Sequence, residues 1–147
     1  MIKNSLYLLL FFAVSCREAA SPKPAVYSTA EGAINGYDAV AYFIEGKPVK
    51  GFDSLSFTWN DAQWKFSSQS NLDSFRNNTS HFAPKYGGYC AYGLSRNYKA
   101  QTSPDAWSIV ENQLYLNYNK EVQVEWKKDM DNRIAEADKN WPEISDR

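Results

Sequence analysis

Leu6 to Val14 (LYLLLFFAV) is an uninterrupted apolar run of nine residues, with Lys3 ahead of it and Ser15-Cys16 directly behind it. A helix that crosses a bilayer needs about 20 residues, so this run cannot serve as a stable span. Its length fits the apolar centre of an export signal, about 7–15 residues behind a positive start. Small residues leading into a Cys at that point resemble a lipobox, where the thiol is diacylated and the bond before it is cut. Ala13 stands where Leu is usual, and ordinary secretory cleavage nearby is the alternative. Two acyl chains give the stable anchoring that one chain cannot. The expectation is a signal peptide over residues 1–15 and lipid on Cys16. The protein then sits in the cell envelope, membrane-anchored and facing the periplasm or the exterior.

That division fixes what is left to fold. Residues 16–31 are rich in Ala, Ser and Pro with no apolar period, and read as a lipidated flexible tether. Residues 32–147 read as one domain. Removing 15 of 147 residues leaves 132, a single-domain length that buries about two-thirds of its unfolded surface without metal or disulfide. The chain has 16 basic and 17 acidic residues, and loss of Lys3 takes the balance from −1 to −2. With no Lys/Arg run, this is no footprint for nucleic acid.

Within the domain, Asn35-Gly36 signals a turn, and Ala39 to Phe43 (AVAYF) reads as a buried strand. Leu55 to Trp59 and Gln63 to Phe66 flank Asn60-Asp61-Ala62 as a hairpin. Trp107 to Val110 and Gln113 to Asn117 form a second hairpin about Glu111-Asn112. Ser70 with Asp73 three residues on suggests the cap of a short helix that buries Leu72 and Phe75 and ends by Asn77-Asn78. Phe82 to Cys90 reads as a loop, broken by Pro84 and Gly87-Gly88. Val122, Trp126, Met130, Ile134, Ala137 and Trp141 recur every three or four residues. That is one amphipathic stripe, packed on the domain's own sheet and stopped by Pro142. The sum is an α+β fold: a small antiparallel sheet of two or more hairpins, a short helix and a long C-terminal amphipathic helix.

The chain has two cysteines. If Cys16 carries lipid, Cys90 has no intramolecular partner. A leftover Cys in an exported protein is a buried inert thiol, half of an intermolecular pair, or a reactive or metal-binding thiolate. Gly87 and Gly88 precede it, and successive amides in a glycine bend can form an anion-binding nest that also favours a thiolate. Tyr86, Tyr89 and Tyr92 surround the sulfur in sequence, able to bond a ligand or to fill a core. His81 is the single histidine. With no CxxC or HxxH, a structural zinc site of four cysteines, or of two cysteines and two histidines, is impossible in one monomer. Copper or zinc held by Cys90, His81 and an oxygen ligand remains open. Asp38 beside the AVAYF segment is a candidate site acid, or a turn and cap residue. No GxSxG, P-loop or GxGxxG is present.

Several stretches carry a family resemblance. Gly36 to Phe43 (GYDAVAYF), Trp64 to Ser68 (WKFSS), Phe82 to Ala91 (FAPKYGGYCA), Leu114 to Asn119 (LYLNYN) and Ala137 to Pro142 (ADKNWP) resemble, in order, the exported bacterial YHS-domain proteins. The resemblance implies no established reaction. The broader group includes small domains attached to heavy-metal transporters, which implies metal handling. Those relatives carry Cys soon after an aromatic strand end, where this chain has Phe66-Ser67-Ser68. Some exported relatives place selenocysteine where Cys90 stands, which implies redox chemistry or soft-metal ligation at that position. Three functions follow as expectations. One is a soft-metal binder using Cys90, copper ahead of zinc. Another is a thiol redox protein whose partner protein supplies the second thiol. The last is a non-catalytic structural or interaction module with an inert Cys90.

Overall fold

The computed structural model describes residues 24–147; the expected signal peptide, Cys16 and the first part of the expected tether lie outside the described residues. The expected tether boundary at residue 31 moves back. Val26 is 1% exposed, the Tyr27 amide donates to the Gly87 carbonyl at 2.9 Å, and the Ile34 amide donates to the Tyr27 carbonyl. Two apolar side chains inside a Pro- and Ala-rich stretch are enough to lay it on the body.

Next come β1 (Ser28–Thr29) and β2 (Gly32–Ala33), an antiparallel pair, and a 3-10 turn at Ile34–Gly36. The AVAYF segment is not a strand. Its second half starts α1 (Ala41–Ile44), and Ala39 to Tyr42 are buried. A short apolar run does not distinguish buried strand from buried helix. Asp38 decides it here, accepting from the Val40 and Ala41 amides at 2.9 and 3.2 Å and so holding the first turn.

Both expected hairpins form. β3 (Phe52–Trp59) pairs with β4 (Ala62–Phe66) through Asn60-Asp61, and both turn residues have positive φ, as the right-handed strand twist prefers. α2 (Gln69–Asn77) follows and buries Leu72 and Phe75. Its cap is Ser68, not Ser70: the Asn71 amide donates to Ser68 Oγ at 3.1 Å. The expected loop from Phe82 to Cys90 contains the end of α3 (Thr79–Phe82) and a turn at Lys85–Gly88. Cys90 then opens α4 (Ala91–Ser95), which the sequence did not signal.

β5 (Trp107–Val110) and β6 (Gln113–Leu116) pair through Glu111-Asn112, also at positive φ. The expected long helix is two: α5 (Lys120–Lys127) and α6 (Met130–Ile144). The break is at Asp129, whose backbone leaves the helical region (φ −143°, ψ 48°). Trp126 and Met130 stay four apart, so the apolar period carries across the break and hides it. Pro142 does not stop α6, which reaches Ile144 and closes with the Ser145 amide on the Trp141 carbonyl.

The fold is α+β, with three separate two-stranded sheets among the described residues. Two apolar clusters share β6. Leu114 and Leu116 join Ile34, Val40, Trp64, Phe66 and Phe75 on one side. Tyr115 joins Tyr86, Leu94, Trp126 and Ala137 on the other. Alternation along a strand sends neighbouring side chains to opposite faces, so β6 divides the two cores.

Candidate functional site

The glycine pair before Cys90 serves packing. Gly87 has φ +61°, and a Cβ there would lie 1.8 Å from the Ala25 carbonyl oxygen. A Cβ on Gly88 would lie 2.4 Å from Ile34 Cγ2. Both are bare because the residue 25–27 segment and Ile34 press against them. Their carbonyls accept from the Tyr27 amide and from Thr102 Oγ1. The expected glycine nest around the sulfur is therefore a seat for the N-terminal segment.

The sulfur finds its partners elsewhere. Cys90 is 2% exposed. Its amide donates to the Ala100 carbonyl, and the residue bridges Leu116 on β6. That pairing brings up Asn117, 27 positions away and wholly buried. The Cys90 thiol donates to Asn117 Oδ1 at 3.7 Å, and the Tyr92 amide donates to the same oxygen at 3.1 Å. Asn117 Nδ2 is buried with no partner, a condition rare in native interiors. Burial pushes the Cys90 thiol above its ordinary value, while the amides of Gly93, Tyr118 and Tyr92 pull it back. A short helix start and a strand end thus aim three backbone dipoles at one sulfur.

Cys90 also lines a cleft of about 280 Å³ with Tyr92, Tyr98, Ala100, Tyr118 and Val122. Tyr98 and Tyr118 are 49% and 45% exposed and stand at its rim. Tyr92 carries guanidinium groups near its ring, with Arg96 Cζ at 5.5 Å and Arg133 Cζ at 4.4 Å from the centroid.

Of the candidates read from the sequence, only Tyr92 joins Cys90 in this cleft. Tyr86 belongs to the second core, where its hydroxyl donates to Asp138 Oδ1 at 2.9 Å. Burial, then that bond, raises its pKa well above the ordinary tyrosine value. Tyr89 donates to the Pro24 carbonyl at 2.8 Å. His81 packs against the rings of Phe43 and Phe82, away from the residues that line the Cys90 cleft. His81 is not among the residues that line the Cys90 cleft, and the described residues hold no group of three or more His, Cys, Asp and Glu able to bind a metal ion.

Asp38 has its own network. Besides the two amides of α1, it accepts from the Ser67 amide at 2.8 Å, Ser67 Oγ at 2.7 Å and Asn71 Nδ2 at 2.7 Å. An ionised carboxylate offers only acceptors, and here five donors meet it at zero exposure. Asp38 is a structural clamp between α1 and α2. Ser67 is occupied by this clamp and Ser68 by the α2 cap.

Sequence reasoning missed Asn117, Tyr98 and Tyr118. The one available signal was Asn117 itself, a polar residue at the register where LYLNYN alternates back toward the interior. No protein-family model, curated protein or solved structure matches this chain.

Proposed function

We propose that this is a lipid-anchored envelope domain of the exported YHS type whose working group is the Cys90 thiol. The observation that carries the reading is the position of Cys90. Cys90 lines a cleft with three tyrosines, three backbone amides act on its sulfur, and its thiol donates to a side-chain amide that keeps a spare donor. The thiol-redox reading draws more support than the soft-metal reading, because Tyr, Ala and Val surround the sulfur and His81 packs elsewhere.

The chemistry is thiol–disulfide exchange. Burial keeps the resting thiol protonated, which slows oxidation by chance encounters, since the thiolate is the reactive form. A thiolate of raised pKa is the stronger nucleophile once formed. A disulfide RS–SR′ enters the cleft, and Cys90 Sγ bonds to one sulfur as the S–S bond breaks. The leaving R′S⁻ takes the proton that Cys90 gives up, and leaves as R′SH. With Cys16 carrying lipid in this reading and Cys90 the one cysteine among the described residues, a partner protein's thiol must resolve the mixed disulfide and restore Cys90. The apolar walls favour small aromatic disulfides over charged ones.

The test is incubation of the native full chain, in a Cys16→Ser background, with 2,2′-dithiodipyridine or oxidised glutathione. The expected result is one thiopyridyl adduct per chain on Cys90, with a ratio of thiopyridyl to glutathione rates at least tenfold above that of the urea-unfolded chain, which removes the intrinsic reactivity of the two reagents. Modification only after urea is added would sink the reading and leave the inert-module alternative.

A further inference from the structure

Pro24 is the first described residue, and its place bears on where the cleft faces. Its carbonyl accepts from Tyr89 Oη at 2.8 Å and from Lys99 Nζ at 3.1 Å. Lys99 Nζ also donates to the carbonyls of Ser145 and Arg147, so this point is tied to the end of the chain. Pro24 lines a groove with Tyr98, Ala100 and Tyr118, and the same three residues line the Cys90 cleft. Pro24 therefore sits beside the mouth of the cleft.

Eight peptide steps separate Cys16 from Pro24, a reach of at most about 29 Å. A domain the size of residues 24–147 has a radius of gyration of about 14 Å, equivalent to a sphere of about 18 Å radius. Passing round to the opposite pole takes about 56 Å on that sphere, nearly twice the reach. A lipid on Cys16 then excludes orientations that put Pro24 at the pole away from the membrane, and leaves the Pro24 face on the membrane side or at the flank.

The chemistry of that face suits a bilayer surface. Tyr98 and Tyr118 are large, half-exposed rings of the amphipathic kind that settles at headgroup depth. Arg96, exposed, stacks near the ring of Tyr92, one of the residues that line the cleft, and adds a surface cation near it. We propose that the Tyr98–Tyr118 face docks on the phospholipid surface, so that the Cys90 cleft opens toward the headgroup region and takes its small apolar disulfide from there. This rests on the lipid anchor at Cys16 given above.

The test uses the full chain purified from the envelope and reconstituted in vesicles of phosphatidylethanolamine and phosphatidylglycerol, three to one, doped with a photoreactive phospholipid. Intact mass reports the lipid on Cys16, and peptide mapping locates the photoadducts. At least three-quarters of the adducts should fall within residues 89–101 and 117–122, and a Tyr98→Ser, Tyr118→Ser protein should lose at least threefold of that labelling. Lipid on Cys16 with adducts elsewhere, as around Ile44 and Phe52, or with none, overturns the docking and leaves the anchor standing. Absence of lipid on Cys16 overturns both.

Discussion

Asp38 and Asn117 are both wholly buried, and both hold the first turn of a short helix by accepting from its backbone. They differ in what is left over. Every donor around Asp38 comes from the protein, and the network closes on itself. Asn117 shares its acceptor with a thiol on the wall of an open cleft and keeps a donor without a partner. Nearly all buried polar groups find partners, so a closed network marks a structural clamp. A network left open beside a cleft has room for a further partner, which is what the proposed role of Cys90 uses.

The largest expected effect breaks the closed side. Asp38→Ala leaves the donors of Ser67, Asn71, Val40 and Ala41 buried without an acceptor. Urea unfolding should show a loss of about 3–5 kcal/mol, and α1 and α2 should loosen together in hydrogen exchange. A loss under about 1 kcal/mol would mean the clamp is not structural.

Asn117→Ala should cost less, about 1–2 kcal/mol, because it strands the Tyr92 amide while removing the orphaned Nδ2. It also removes the thiol's acceptor, and the native alkylation rate of Cys90 should change at least threefold. A large stability loss with unchanged alkylation would make Asn117 a second clamp and erase the contrast. Cys90→Ala should be milder still, about 1 kcal/mol or less, as for losing one small buried apolar group, and should abolish disulfide exchange.

The smallest effect is in pH dependence. The folded-state pKa of Cys90 is raised by burial, so its contribution is fully present below the unfolded value of about 8.5 and is lost as pH rises through the higher folded value. Tyr115 is raised to about 12, chiefly by burial, and acts the same way further up. Stability should therefore start to decline above about pH 8.5. In Cys90→Ala the first part of that decline should vanish while the tyrosine part above about pH 10 remains. Urea midpoints at pH 7.5, 9.5 and 10.5 separate the two.

The closed side was the more legible in sequence. The hairpins announced themselves through Asn60-Asp61 and Glu111-Asn112, turn pairs that accept positive φ. Asp38 read as a cap candidate because its α1 partners are two and three residues away. The same locality misled at AVAYF, where five apolar residues carry no period, and at Ser70, one polar residue among several able to cap. The open side was legible only as Cys90. Its partners Asn117 and Tyr118 arrive through a strand register, which no spacing near Cys90 encodes. The glycines that seemed to serve the sulfur answer instead to Ala25 and Ile34. The split between α5 and α6 was hidden because the apolar period continues across Asp129.

The most direct test of the claim that Cys90 is a working thiol is its alkylation by iodoacetamide in the native full chain, with Cys16→Ser, followed from pH 6 to 11. The account predicts complete labelling without denaturant, along a single titration whose midpoint lies above the ordinary thiol value and falls to that value in urea. No labelling of the native protein, or a midpoint at or below the ordinary value, would contradict it.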